Sequence, residues 1–437
     1  MVMMRSAVVQ RLILLGALLA ASSGAPARAQ TGDLTLTEIY TQARANNSML
    51  KAVAARANAV EAMESSARLP PDPQIQVGVM NASLPGLETN MPTSMAPAIQ
   101  AMQMLPFPGK LKLSGRIAEQ STAIARAEAN EQWWMVRSQA AMAFYEIYGA
   151  DRQVSVMRET AALLEDFEQV ARAMYGAGEG RQTDVLRASV EVARMEADIA
   201  RMQAMRTAAV ARLNAVLNRP ADAPVPTVAL PPLPALIPSA DTLQRWAEAE
   251  RPGLERSRLG VEQAESRLGL ARRELWPDVS VGLQYGQRQA GEMGTERMGS
   301  LMLGFNVPIF ARSRQLKMRE EATAMQQMAQ AELVDARSQV NARIGELLAE
   351  LDRARTLVEL YRAEVLPQAE ANVTSSYASY RVGSVDFMTL VDAQMTVNQY
   401  RQELFALLAD YGQLVAELEM AVGRELPSTS EILTGES

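Results

Sequence analysis

Three stretches of the chain alternate strictly between apolar and polar positions. Ile75, Val77 and Val79 are apolar, while Gln74, Gln76 and Gly78 between them are not. Val279, Val281, Leu283 and Tyr285 alternate with Ser280, Gly282, Gln284 and Gly286. Leu301, Leu303, Phe305 and Val307 alternate with Ser300, Met302, Gly304 and Asn306. A period of two predicts strands with one greasy and one polar face. A fourth strand is expected around Pro97 to Leu105, where the alternation is poor. Such strands suit either a soluble sheet packed on helices or the wall of a membrane barrel, apolar toward lipid and polar toward a lumen.

The rest of the pattern is helical. From about Leu111 to Arg172, and from about Arg312 to Val373 with one interruption at Pro367, the composition favours helix. Sixty residues of helix would run roughly 90 Å, longer than a single globular core accommodates. The apolar spacing is 3.5 rather than 3.6. Leu347, Leu351, Ala354, Val358, Tyr361 and Val365 step by four and three in turn. So do Val397, Tyr400, Leu404, Leu407, Tyr411, Leu414 and Leu418. Val192, Met195, Ile199 and Met202 begin a similar run that Arg206 breaks. These seams specify coiled-coil packing.

The landmarks occur twice. Pro73-Gln-Ile-Gln-Val-Gly78 returns as Pro277-Asp-Val-Ser-Val-Gly282, Pro106-Phe107 as Pro308-Ile309, and Tyr175-Gly-Ala-Gly178 as Tyr380-Arg-Val-Gly383, at offsets of 204, 202 and 205. Leu213 to Pro220 resembles Leu418 to Pro427 near the same distance. The order predicts a duplication. The first repeat spans 30–218, with a helix, a hairpin over 73–107, a long helix and a returning helix. The second spans 241–427, with its hairpin over 278–309, followed by a tail over 428–437. Between them, 219–240 reads as an extended linker, since Arg219 to Pro238 holds seven of the chain's 21 prolines.

Four strands cannot close a barrel, and an open edge in lipid leaves backbone groups unsatisfied. Three chains of four strands each give twelve, within the range of membrane barrels. The expected fold is therefore mainly α with a small β part. A long coiled-coil α-helical barrel continues a transmembrane β-barrel shared by a homotrimer, with membrane lipid against the apolar strand faces. A periplasmic coiled-coil scaffold or adaptor would also explain the seams, but has no use for lipid-facing strands.

Composition narrows the chemistry. The chain has no Cys and no His, which removes disulfides, thiolate nucleophiles and the commonest general base and metal ligand. No carboxylate spacing singles out a catalytic pair, so the reading is a non-enzyme. Formal charge is −7, and the first 29 residues carry three Arg and no acid, which argues against nucleic acid as a partner. Those residues, with Leu12 to Ala21 apolar and Ala27-Arg28-Ala29 at the end, read as a signal peptide cleaved before Gln30. Without Cys there is no lipoprotein attachment. Met91, Met95, Met102 and Met104 cluster around the first hairpin with Met80. Thioethers favour soft Cu(I) or Ag(I), although Met equally fills irregular apolar surfaces.

Gly178, Gly180 and Gly383 fall where one helix gives way to the next, the place for positive φ. Thr183-Asp184 is the candidate N-cap of the first returning helix, and Ser384 or Asp386 that of the second.

Taken together the chain resembles the TolC family of outer-membrane efflux proteins, most specifically at Met174 to Ser189 and Ser379 to Gln394. Leu105 to Leu111, holding the corner residues Pro106, Pro108 and Gly109, is similar to heavy-metal efflux outer-membrane factors; Pro308 marks the second corner. The resemblance implies a passive homotrimeric duct in the outer membrane of a Gram-negative cell, reaching into the periplasm, catalysing no reaction and needing no cofactor. It would dock through a periplasmic adaptor on an inner-membrane pump, of the resistance-nodulation-division (RND) type, and pass metal ions or small toxic compounds. A duct for secreted polypeptides shares the fold. By the same resemblance the helix turns form the periplasmic aperture. Asp392 would give a three-fold acidic ring, and Asp184 with Thr183 and Tyr380 an inter-helix latch. Thr389 stands where a second acidic ring residue is expected, and Val385 where a basic latch residue is expected.

Overall fold

The computed structural model describes residues 34–82, 94–234, 236–289 and 294–427. The expected signal peptide (1–29), Met91 and the tail over 428–437 lie outside them. In chain order the elements are α1 (Leu36–Asn46), α2 (Ser48–Ala62), β1 (Gln74–Met80), β2 (Met95–Leu105), α3 (Lys110–Gly176), α4 (Gln182–Val216), α5 (Ala240–Glu250), α6 (Pro252–Arg273), β3 (Asp278–Gln289), β4 (Thr295–Asn306), α7 (Gln315–Leu360), α8 (Leu366–Arg381) and α9 (Phe387–Val422).

The leading helix of each half is two helices rather than one. Asn47 ends α1 and caps α2, its Oδ1 accepting from the N–H groups of Met49 and Leu50 while its Nδ2 donates to Val216 O. In the second half the break falls at Arg251, because Pro252 starts a helix well and continues one badly.

α3 runs unbroken for 67 residues, about 100 Å at helical rise. It packs against α2, α4, α6 and α9. The seams predicted at 3.5 spacing are the buried stripes: Leu347, Leu351, Ala354 and Val358 on α7, and Val397, Leu404, Leu407, Tyr411, Leu414 and Leu418 on α9. The α7 seam then changes character. Tyr361–Val365 form a π turn just before Pro367, whose ring offers no N–H and crowds the carbonyl four residues back. Tyr361 there meets Tyr400 edge-on, centroids 5.7 Å apart. Arg206 breaks the α4 seam for a tertiary reason. Its guanidinium pairs with Asp151 and donates to Val225 O and Pro226 O, strapping the proline-rich segment to the helices. Tyr411 Oη donates to Pro234 O (2.6 Å) further along the same segment. The segment is extended, with Val225, Val228 and Leu233 buried in the main core.

The four strands form one antiparallel sheet in the order β1-β2-β3-β4, so the second and third strands join the two halves and β1 and β4 are its edges. The poor alternation of β2 has a cause. Its register with β1 shifts between Gly78 and Met80, opposite Pro97, which has no N–H for the ladder. Elsewhere the pairing is regular, and it aligns Ile75, Ala101, Leu283 and Leu301 on one face and Gln76, Gln100, Gln284 and Ser300 on the other.

Candidate functional site

Two helix-to-helix turns lie at the end of the bundle far along α3 from the sheet. In the first, Gly178 has φ 79° and donates to Tyr175 O, while Glu179 and Gly180 both donate to Met174 O. In the second, Gly383 has φ 72° and donates to Tyr380 O, and Ser384 donates through N–H and Oγ to Ser379 O. Gly180 departs from expectation: its φ is not positive, and glycine is needed because a Cβ would lie 2.9 Å from Tyr175 N.

The caps also need correction. The N-cap of α4 is Arg181, with φ −103° and ψ 142° and no side-chain bond. Thr183 and Asp184 are the second and third residues within the helix, where the carboxylate favours the positive end of the helix dipole. In the second turn Asp386 is the N-cap, accepting from Thr389 N (2.9 Å) and Thr389 Oγ1 (2.7 Å). Those two bonds hold its carboxyl below the usual carboxylate range, the hydroxyl contributing most. Thr389 is thus committed to the cap, and Ser384 closes the preceding helix.

Tyr380 is buried in the smaller core cluster, edge-on to Phe387 at 5.4 Å between centroids. Its hydroxyl has no hydrogen-bond partner, and burial, then the charge of Asp184, raises its pKa. Thr183 Oγ1 lies 3.5 Å from Asp184 Oδ1. Asp392 is exposed between buried Val391 and Ala393, one turn beyond Thr389 on the same outward stripe of α9. Val385 is half-buried.

At the other end, sheet passes into helix through two corners of unequal build. Gly109 has φ 89° and caps α3; the Arg273 guanidinium occupies the space beside it and donates to Pro108 O. Lys110, buried, donates to Asp278 Oδ1 (2.8 Å) and Glu274 Oε2 (3.2 Å). Asp278 Oδ1 also accepts from Phe107 N (2.7 Å), and the Phe107 ring stacks on Trp276 at 5.4 Å. The first corner, beginning at Pro106, is therefore locked onto the second half of the chain. After Pro308, by contrast, Ile309 and Phe310 are 82% and 70% exposed. Sequence reasoning found the corner prolines but not Lys110, whose partners lie more than 160 residues away.

Of the candidate methionines, Met102 faces Gly282 and Met104 faces Ser280 across the β2–β3 ladder, on the polar side of the sheet. Met95 reaches the same side at Gly286. Among the described residues no group of three or more carboxylates is placed to hold a metal ion.

This architecture has known counterparts. The outer membrane efflux protein family matches residues 39–219 and again 243–424. The cobalt-zinc-cadmium resistance protein CzcC of Cupriavidus metallidurans is 23% identical over 401 residues, covering 91% of this chain and 92% of its own. The crystal structure of CusC superposes with a TM-score of 0.76 at 16% identity, over 90% of this chain and 92% of that one. The outer membrane protein VceC of Vibrio cholerae gives 0.75 at 17% identity, over 89% and 96%. At these identities the solved structures establish the fold, while the twofold match over most of the sequence establishes the relationship. The chain belongs to the outer membrane efflux protein family, the outer-membrane channels of tripartite efflux systems.

Proposed function

We propose that three copies of this chain close their sheets into one β-barrel and their helices into one tunnel, forming the passive exit duct for metal ions delivered by an inner-membrane pump of the RND type through a periplasmic adaptor. One observation carries the assembly. The sheet is open at β1 and β4, and its apolar face, with Ile75, Val77, Leu283, Leu301, Leu303 and Phe305, is exposed. In lipid that face is satisfied, but the two edges are not until another chain pairs with them. Metal ions are favoured as cargo because the relative CzcC is named for resistance to cobalt, zinc and cadmium.

The two turns are then the periplasmic aperture. Three Asp392 carboxylates converge near the axis and attract cations, while Tyr380 and Asp184 sit where neighbouring helices separate on opening. Mass measurement in detergent and conductance in planar bilayers test the reading. A conducting trimer is expected, with Asp392→Asn weakening divalent-cation block of the current and leaving assembly intact. A stable monomer that still conducts would overturn the shared barrel. A deletion strain as tolerant of cobalt, zinc and cadmium as its parent would overturn the cargo.

A further inference from the structure

The polar face of the sheet is rich in thioethers. Register places Met102 and Met302 on either side of Gly282 in one row, and Ala98 and Met298 on either side of Gly286 in another. The two β3 glycines leave hollows on this face, and methionines fill both. A Cβ added to Gly282 would lie 3.3 Å from Met302 Cε, and one added to Gly286 only 2.8 Å from Met95 Sδ. The second hollow holds more than packing. Met80 pairs with Met95 across the β1–β2 ladder, and Met80 Sδ accepts a hydrogen bond from Gln284 Nε2. Gln284 is buried and lies two residues from Gly286 on the same face of β3. Register and these contacts thus bring two thioether side chains from different strands and one carboxamide to neighbouring positions on one face.

We infer that Met80, Met95 and Gln284 form a binding site for a soft monovalent cation of the Cu(I) or Ag(I) class. Neutral, polarisable thioether sulfur prefers such ions over Zn(II) or Co(II), which take imidazole, thiolate or carboxylate. The Gln284 carboxamide can turn its oxygen to the ion once the sulfur it now bonds is engaged, since its two ends are nearly isosteric. No charged ligand takes part, and the nearest charges on this face, Arg288 and Glu296, pair with each other (2.7 Å). The ligand set lies within one chain. That the site faces a lumen rests on the barrel proposed above.

Silver titration of the purified full chain, labelled at the methionine methyls with carbon-13 and kept in chloride-free detergent buffer, tests the inference. Met80→Leu and Met95→Leu each conserve volume and serve to assign the two resonances. Both methyls are expected to shift at the first equivalent of Ag(I) per chain, ahead of exposed Met63, while Zn(II) moves neither. In the doubly substituted protein the tightest Ag(I) event should weaken at least about tenfold. Shifts no earlier than that of Met63, or an unchanged isotherm in the double variant, would mean these methionines only pack, and would overturn the site. Particle mass measured on the same samples separates the two readings. A monomer with early methyl shifts keeps the site and removes the barrel, whereas a trimer without them removes the site alone.

Discussion

Leu301 gives the sharpest test of which face of the sheet meets lipid. It lies at the middle of β4, in a row with Ile75, Ala101 and Leu283, and is 67% exposed. A strand tilted about 45° advances roughly 2.3 Å per residue along the membrane normal. Phe305, four residues on and on the same face, is then about 9 Å from the midplane, close to the boundary of an apolar band about 25 Å tall. Arg at a lipid-facing midplane position costs about 2–4 kcal/mol, falling to about 0–1 near the interface. Leu301→Arg should therefore cost about 6–12 kcal/mol over three copies, and Phe305→Arg a fraction of that. Ser300→Arg, one residue away on the opposite face, should be tolerated. Trimer yield in outer-membrane fractions, and folding yield into lipid vesicles, should fall in the order Ser300→Arg, Phe305→Arg, Leu301→Arg. Equal losses for Ser300→Arg and Leu301→Arg would refute the assignment of faces.

Lys110→Met strands the Asp278 carboxylate, which is partly buried. Losing one partner of a fully buried pair costs about 3–5 kcal/mol, and because Glu274 is over a third exposed and screened, the lower end is expected. Thermal dissociation of the detergent-solubilised protein should come at lower temperature, with part of the loss restored by adding Asp278→Asn. Acidification should loosen the second helix turn. The folded-state pKa of Asp386 is depressed, so its contribution is complete above the unfolded carboxylate range and disappears as pH falls through the folded value. Protection of the amides at the start of α9, taken relative to the intrinsic exchange rate at each pH, should fall in acid, and Asp386→Asn should flatten that dependence. Glu419, whose carboxyl burial raises despite its Arg137 partner, has the opposite sign: its contribution is lost as pH rises through the window above the unfolded carboxylate value. Glu419 therefore adds no acid loosening of its own, whereas Glu168, held low by its hydrogen bonds from Ser189 and Arg172, adds to that of the turn.

What could be read from the sequence depended on how local its cause was. β3 and β4 declared themselves because each strand divides two environments residue by residue. β2 did so poorly because Pro97 and the shift opposite it disturb the alternation. The α9 seam was legible over seven positions, since a coiled-coil face repeats whatever its partner is. The cap of α4 was misplaced because Thr-Asp is a good capping pair, yet the tight turn at Gly180 brings Arg181 into extended geometry first. The division at Asn47 and the lock at Lys110 each rest on a distant partner. Asn47 is satisfied by a backbone carbonyl at the far end of the first repeat, and Lys110 by a carboxylate of the second.

The unequal corners bear on why the chain is duplicated. If the two halves were equivalent within one chain, both corners would be covered alike. Instead Phe107 and Lys110 at the first corner are held by Trp276, Glu274 and Asp278 at the end of α6 and the start of β3, the entry to the second half's hairpin. The corresponding apolar residues at the second corner, Ile309 and Phe310, face outward. The sheet repeats the same imbalance. β2 finds its second partner in β3, across the seam between halves, while β4 at the matching place in the second half is an edge. Both imbalances ask for the same object, the start of a first-half hairpin lying beside β4. Within one chain that hairpin sits at the far edge of the sheet. A neighbouring copy presents it at the near edge, so one operation, repeated around an axis, covers Ile309 and Phe310 and pairs β4 together. A closed ring satisfies both demands in every chain, whereas an open array always leaves one uncovered corner and one bare strand.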